Sequence, residues 1–404
     1  MKSIRELYRI GHGPSSSHTM APARAAKNFK EKHPEAASFK VTLGGSLALT
    51  GKGHFTDKAI IDTFSPAPTE IIWQHGIIAD HPNGFILEAY DSNGFKIDST
   101  IDISLGGGAL KSDGASGYLY KHKNMSEIMD YCNKSNIPYW KYVEEVEGQE
   151  IWNFLKEALF AMRDSIVAGL KGTGMLPGTL KLPRKAGTFK NRSMSLNTDF
   201  GPQALTASYA YAVSEVNASG GVVVTAPTCG SCGVLPAIFA TFHKQYGTES
   251  DNLLQAMATA ALFGNVAKHN GSISGAVAGC QAEVGVACAM AAAATTQLMG
   301  GTLEQIEYAA EMGLEHHLGL TCDPVMGLVQ IPCIERNAHA ALRAFNCANF
   351  ALLSDGRHRI SYDDIVKVLI ETGKNLSTIY KETSLGGLAT VYHDRHEIEN
   401  NNFF

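Results

Sequence analysis

The sequence has no long apolar run, no basic stripe, no internal repeat and no low-complexity segment, and each absence removes a class of function. Its longest apolar stretch, residues 284–294, is mostly alanine between Glu283 and Gln297. That is too short to cross a bilayer and reads as a buried core helix. A net charge of -5 leaves no cationic track for a run of phosphates, so nucleic acid is not an expected partner. The first ten residues lack a basic start, an apolar core and a small-residue cleavage site; export is not signalled, and the expected location is the cytoplasm. Eight cysteines in 404 residues do not make a dense disulfide framework. In the cytosol they are expected as thiols or metal ligands.

What is present is enough apolar material, 45% of the residues, for two domains with real cores. Between residues 39 and 110 the pattern favours strands: residues 39–43 start one, and residues 86–90 and 95–103 flank Asn93-Gly94, a strong hairpin signal because both residues tolerate positive φ. From residue 151 the period becomes helical, with Ile151, Leu155, Leu159, Met162, Ile166 and Leu170 recurring every three or four positions. Thr302 with Gln305 resembles a capping box, and Ser361 can cap a helix running through Ile365, Val368 and Leu369. The expected fold is an α+β N-terminal domain, residues 1–145, followed by an all-α domain, residues 146–404, with the boundary in the polar stretch that ends near residue 145.

Four segments could carry chemistry. In Gly11-His12-Gly13-Pro14-Ser15-Ser16-Ser17-His18-Thr19 hydroxyls and an imidazole crowd before an alanine-rich helix, where they can cap amides that could also hold a carboxylate. A plain cap would need only one hydroxyl. In Thr50-Gly51-Lys52-Gly53-His54-Phe55-Thr56-Asp57 the histidine has a carboxylate nearby and suits a general base, although a solvated loop histidine has the same local look. Ser104-Leu105-Gly106-Gly107-Gly108 ends a strand with amides free to meet an anion, without the spacing of a dinucleotide fingerprint; a flexible turn reads equally well. The fourth is the set Cys280, Cys322 and Cys333, each beside a glycine- or proline-broken helix end where a thiolate is favoured.

Cys132, Cys288 and Cys347 read as small buried hydrophobes. Cys229-Gly230-Ser231-Cys232 lacks the βαβ setting of a thioredoxin-like motif and the second pair of a zinc site, so it reads as a loop lining the site, with direct metal ligation as the lesser alternative.

Together these segments resemble the iron-sulfur L-serine dehydratases in their single-chain form. The matching motifs include Gly13-Pro14-Ser15-Ser16-Ser17-His18-Thr19, Ser46 to His54 within Gly45-Ser-Leu-Ala-Leu-Thr-Gly-Lys-Gly-His54, Ser272-Ile273-Ser274-Gly275, Gly279-Cys280-Gln281, Thr321-Cys322-Asp323-Pro324, Pro332-Cys333-Ile334-Glu335-Arg336-Asn337 and Glu382-Thr383-Ser384-Leu385-Gly386-Gly387. The resemblance implies an N-terminal domain similar to an allosteric substrate-binding domain, an all-helical catalytic domain, a homodimer, and a 4Fe-4S cluster held by Cys280, Cys322 and Cys333. It also implies conversion of L-serine to pyruvate and ammonia. His54 is then the expected base with His18 next, while Ser15, Ser16, Ser17, Thr19, Thr56, Ser104, Gly106 and Gly107 hold the substrate. Glu335, Arg336 and Asn337 would orient it or support the cluster. Some members end in a cysteine that covers the fourth iron, whereas this sequence ends in Asn402-Phe403-Phe404, so water or an anion is the expected substitute and air sensitivity the expected result. Other readings are elimination from threonine or cysteine, a pyridoxal-phosphate enzyme using Lys268, and a serine sensor without turnover.

Overall fold

The structure, a computed structural model, describes residues 1–114, 117–195 and 201–401; the end of the cysteine-free tail lies outside the described residues. A short strand β1 (Ile10–His12) leads through a π-helical turn, Ser16–Met20, into α1 (Ala21–Lys32). Then come β2 (Ser38–Gly44), α2 (Gly45–Thr50), α3 (Thr56–Phe64), β3 (Thr69–Gln74), β4 (Gly84–Tyr90), β5 (Lys96–Gly106) and β6 (Ala109–Leu110). The sheet has the order β3-β2-β4-β5-β6, with β2 and β3 parallel and the other pairs antiparallel. Alternation decides its faces: Phe39, Val41 and Leu43 of β2 are buried with Phe29 of α1 and Ile60 and Phe64 of α3. Phe39 and Phe64 stack with ring centroids 3.9 Å apart. The β4–β5 hairpin forms as expected, with Gly94 at φ 81° and Asp91 Oδ1 accepting from the amides of Asn93 and Phe95 at 2.9 and 2.8 Å.

The remainder is helical apart from β7: α4 (Met125–Ser135), α5 (Tyr139–Glu147), α6 (Ile151–Lys171), α7 (Ala186–Ser193), α8 (Gly201–Ala218), β7 (Val222–Val224), α9 (Val234–Tyr246), α10 (Ser250–Asn270), α11 (Gly275–Ala278), α12 (Val286–Leu298), α13 (Leu303–Glu315), α14 (Cys333–Leu352), α15 (Tyr362–Asn375) and α16 (Leu388–Asn401). Its centre is α12, the alanine-rich run, which is buried on all sides from Val286 to Thr296 against α10, α13 and α14. Small side chains let these helices approach closely. A Cβ at Gly313 of α13 would stand 3.0 Å from the Cα of Ala289. Thr302 and Ser361 each complete a capping box, with Gln305 and Asp364 respectively. The helical core also takes in Met1, Ile4, Leu7, Tyr8, Tyr120, Met125, Ile128 and Tyr139, so chain on both sides of residue 145 contributes to it.

One pairing positions the site. β1 runs antiparallel to β7, Ile10 opposite Val224, and this lays residues 13–15 against the helical unit. Gly13 donates its amide to Gly221 O at 2.9 Å and Asn217 Nδ2 donates to Pro14 O at 2.8 Å. Only glycine fits at position 13, because a Cβ there would fall 2.1 Å from Asn217 Oδ1.

Candidate active site

On the N-terminal side, the serine-rich turn places His18 in a single tautomer. Ser46 Oγ donates to Glu382 O at 2.7 Å, so at 3.0 Å from His18 Nε2 it must accept, and His18 carries its proton on Nε2. Nδ1 is then the acceptor for Ser17 Oγ at 2.9 Å, and Ser17 in turn accepts from Ser15 Oγ at 3.3 Å. Ser15 caps the turn by accepting from the His18 amide at 3.1 Å. Burial pushes the His18 imidazole down to about 4, against the pull of Glu382, so it is neutral at working pH. His54 stacks on it, ring centroids 4.6 Å apart. Its Nδ1 donates to Thr50 O at 2.8 Å, which leaves the lone pair on Nε2. Thr19 ties the two segments together by donating to His54 O at 2.7 Å.

The carboxylate facing these rings comes from the far end of the chain. Asp57 lies in the first turn of α3, past Phe55 at φ 56°, and its Oδ1 accepts from the Lys58 amide. Glu382 Oε1 instead stands 3.4 Å from His18 Nδ1 and 3.5 Å from His54 Nε2. Burial raises the Glu382 carboxyl, but the Ala276 amide and the two imidazoles, which favour the carboxylate when they carry a proton on the nitrogen facing it, outweigh this and hold it below the ordinary carboxylate range. It can therefore stabilise a proton taken up by His54 Nε2. Glu382 is held in the left-handed region, φ 59°, with its amide donating to Cys322 O at 2.8 Å, so it joins the histidines to the cysteines.

Across from the histidines, three helix breaks deliver the thiols. Cys280 precedes a second π-helical turn, Gln281–Gly285; Cys322 lies in the loop after α13, bridged to Lys381; Cys333 begins α14. All three are buried and line one cavity with Ser15, His54, Gly230, Glu283 and Glu382. A hydrogen bond from Cys322 brings the Cys280 thiol down to about 7, burial opposing and the Arg336 guanidinium helping. Cys322 is pushed up by giving that bond and by burial, and Cys333 by burial first. Arg336 is anchored by Nη1 on Thr321 O at 2.6 Å. Glu283 Oε2 is 3.9 Å from Cys322 Sγ, and burial pushes its carboxyl well up. Three soft sulfur donors beside a fixed cation, closed off from solvent, are the donor set that an iron-sulfur group takes.

Residues 3–72 match the serine dehydratase beta chain family and residues 70–389 the serine dehydratase alpha chain family. The chain belongs to the serine dehydratase family. It is 38% identical to an L-serine dehydratase of Streptomyces coelicolor over 449 aligned positions, covering 96% of this chain and 98% of that one. It is 36% identical to L-serine dehydratase 1 of Escherichia coli, with 96% and 99% covered, and 35% identical to an L-serine dehydratase of Helicobacter pylori, with 96% and 98% covered.

The other expected residues of this serine dehydratase chain divide into four groups. Ser16, Ser17 and Thr19 are buried in the turn and bonded to protein partners: Ser16 O accepts from the Ala21 amide, and Ser17 and Thr19 bond as described. Thr56 and Ser104 are buried, and their hydroxyls lack a protein partner. Gly106 and Gly107, at φ 93° and 59°, press against Ser274 and Ile273 of the helical unit. Around α14, Arg336 meets the thiols, whereas Asn337 clamps the Cys229–Ser231 turn by accepting from Gly233 N at 2.8 Å and donating to Gly230 O at 2.7 Å. Glu335 is not brought to the cavity: one position from Arg336 turns a helical side chain about 100°, and it faces Lys185 at 3.5 Å on the exposed side.

Cys229 and Cys232 are buried thiols pushed up by burial, and of their loop Gly230 lines the cavity. Lys268, on α10, pairs with Glu6 at 3.5 Å and is lowered to about 8 by burial; it does not line the cavity. Glu382 and Glu283 were not singled out from the sequence. Nothing local marks either as a site residue; Glu382 opens one of the segments quoted for the family resemblance, and Glu283 lies three positions after Cys280.

Proposed function

We propose that this chain eliminates water from L-serine to give pyruvate and ammonia, with Cys280, Cys322 and Cys333 holding a 4Fe-4S cluster. The observation that carries this reading is the single buried cavity in which those three thiols face His54, Ser15 and Glu382. When bound, a cluster with three cysteine ligands supplies an iron with an open position, a Lewis acid for the departing hydroxide. The chain's own groups do the rest. His54 Nε2 takes the α-proton, its tautomer set by the Nδ1 bond to Thr50 O. Glu382 stabilises the proton so acquired, and neutral His18 keeps Ser17 and Ser15 in place. The enamine left by elimination becomes an imine and hydrolyses without further help. A cytoplasmic homodimer is the assembly that goes with this reading.

The relatives' names favour serine over other small amino acids. One methyl group discriminates by only ~1–3 kcal/mol, so threonine belongs in the test. Anaerobic purification with iron and sulfide counting, followed by keto-acid assay with L-serine, L-threonine and L-cysteine, is expected to give about four irons per chain and the fastest turnover on L-serine. Protein that carries the cluster and forms no pyruvate from L-serine would overturn the reading in favour of a sensor.

A further inference from the structure

A cavity of about 490 Å³ in the helical unit shares no lining residue with the one that holds the thiols, nor with the β1–β7 seam beside it. One wall is α14, which presents His339, Arg343 and Asn346, four and three residues apart on one face. Gln203 of α8, Gln245 of α9 and the pair His316 and His317 after α13 also line it. The Phe242–Phe345 stack, centroids 5.7 Å apart, and the Thr206–Thr241 hydroxyl pair at 3.0 Å fix α8, α9 and α14 around it. Among the described residues no aspartate or glutamate lines this cavity, and Arg343 makes no ion pair. Its charge falls on its neighbours instead: burial lowers the His317 imidazole, and Arg343 lowers it further. A cavity with a potential of one sign and no counter-charge of its own draws in an anion.

The turn that carries the two histidines is clasped to the segment after Cys280. Gly319 donates its amide to Gln281 Oε1 at 2.9 Å, the Gln281 amide donates to Leu320 O at 3.2 Å, and a Cβ at Gly285 would stand 2.9 Å from His317 Cβ. His316 and His317 donate Nδ1 to Met312 O and Gly313 O at 2.9 and 2.7 Å, which fixes both rings and leaves each Nε2 for a ligand. Glu315, 3.6 Å from His316 Nδ1, does not line the cavity. We propose that this cavity is an effector site for a phosphate or small phosphate ester, held by Arg343 and the imidazoles and amides around it, whose occupant acts on turnover through the 316–320 turn and Gln281. The Arg343 fork suits two oxygens of such a group at once, and a tetrahedral dianion uses more of the surrounding donors than a planar carboxylate does. Binding here is independent of the proposed elimination; only the effect on rate rests on it.

The test uses holoenzyme, wild type and Arg343→Gln, with iron content and melting temperature read on each preparation. Equilibrium dialysis with orthophosphate and with glycerol phosphate separates the free ion from the ester, and succinate serves as the carboxylate control. Wild type should bind a phosphate probe and Arg343→Gln should bind it roughly 10- to 100-fold more weakly, the loss of a hydrogen bond to a charged group. Arg343→Lys, which keeps the charge without the fork, should fall between them, and His339→Gln serves if the arginine variants do not fold. In steady-state kinetics with L-serine the bound probe should change kcat and leave KM within twofold. A rise in KM at constant kcat would put the anion in the catalytic cavity and overturn the proposal. Equal binding by wild type and Arg343→Gln, equally tight binding of succinate, or no binding of either phosphate probe would do the same. A bound probe that moves neither kcat nor KM would overturn the link through Gln281. If the protein forms no pyruvate from L-serine, the elimination fails and the dialysis alone decides the site.

Discussion

The two walls of the cavity are held in opposite ways. On the histidine wall, both ring nitrogens of His18 and Nδ1 of His54 have hydrogen-bond partners: the hydroxyls of Ser46 and Ser17 set the His18 tautomer and the Thr50 carbonyl that of His54. On the cysteine wall the backbone does the placing, through a π-helical turn, a bridged loop and a helix start; the Cys280 and Cys322 sulfurs meet each other, Cys322 also meets Glu283 and Cys280 meets Arg336, while Cys333 lines the same cavity. The difference matches the chemistry proposed for each. A proton acceptor has to present one lone pair in one direction before substrate arrives, so its tautomer is fixed by the protein. Thiolates that hold a metal group take their final arrangement from the group itself.

If that contrast is right, damage to the cysteine wall is all or none. Replacing Cys280, Cys322 or Cys333 by serine should remove the brown absorption, the iron and the turnover together; a serine variant with full iron would break the comparison at its strongest point. Damage to the histidine wall should be graded and leave the iron in place. His54→Ala is expected to lower kcat by roughly 10²- to 10⁴-fold at unchanged iron content, and a fall of only a few-fold at saturating L-serine would remove His54 as the base. Glu382→Gln keeps the shape but loses the charge that favours a proton on His54, so kcat should fall by a smaller factor, roughly 10- to 100-fold. An effect larger than that of His54→Ala would show that Glu382 mainly holds the seam together.

The smallest expected effects are on stability against pH, and they separate the seam from the helical unit. His18 binds its proton at about 4 when folded and near 6.5 when unfolded. The unfolded chain therefore takes up more protons between those values, and the melting temperature should drop as pH falls through this window. His358, bonded to Glu307 at 2.7 Å, is raised to about 9. Its contribution is full below about 6.5 and is lost as pH rises through 9. His358→Gln should flatten the alkaline limb alone. If it flattens the acid limb as well, the seam and the helical unit do not titrate independently.

Much of the fold was legible because its signals are local. Asn93-Gly94 specifies a turn by φ preference, Thr302 and Ser361 cap helices within their own first turns, and residues 284–294 announce a helix with no wet side. The candidate site was legible in part. His18, His54 and the three cysteines come together in the structure, but Asp57 beside His54 in sequence is turned away by the left-handed Phe55, and Glu335 beside Arg336 is turned away by the helix. Sequence neighbours share a segment without sharing a direction.

By itself, then, the sequence determined which segments are strand, helix, cap and turn, and which few side chains have the right chemistry, since both follow from dihedral preference and side-chain type. Only the tertiary structure decided that Glu382 faces both histidines, that Cys280, Cys322 and Cys333 share a cavity, and that Gly106 packs against Ser274 across the seam. The physical reason is chain closure. Those contacts depend on β1 pairing with β7 and on α14 docking through Asn337, events set by the packing of the whole molecule rather than by any local preference.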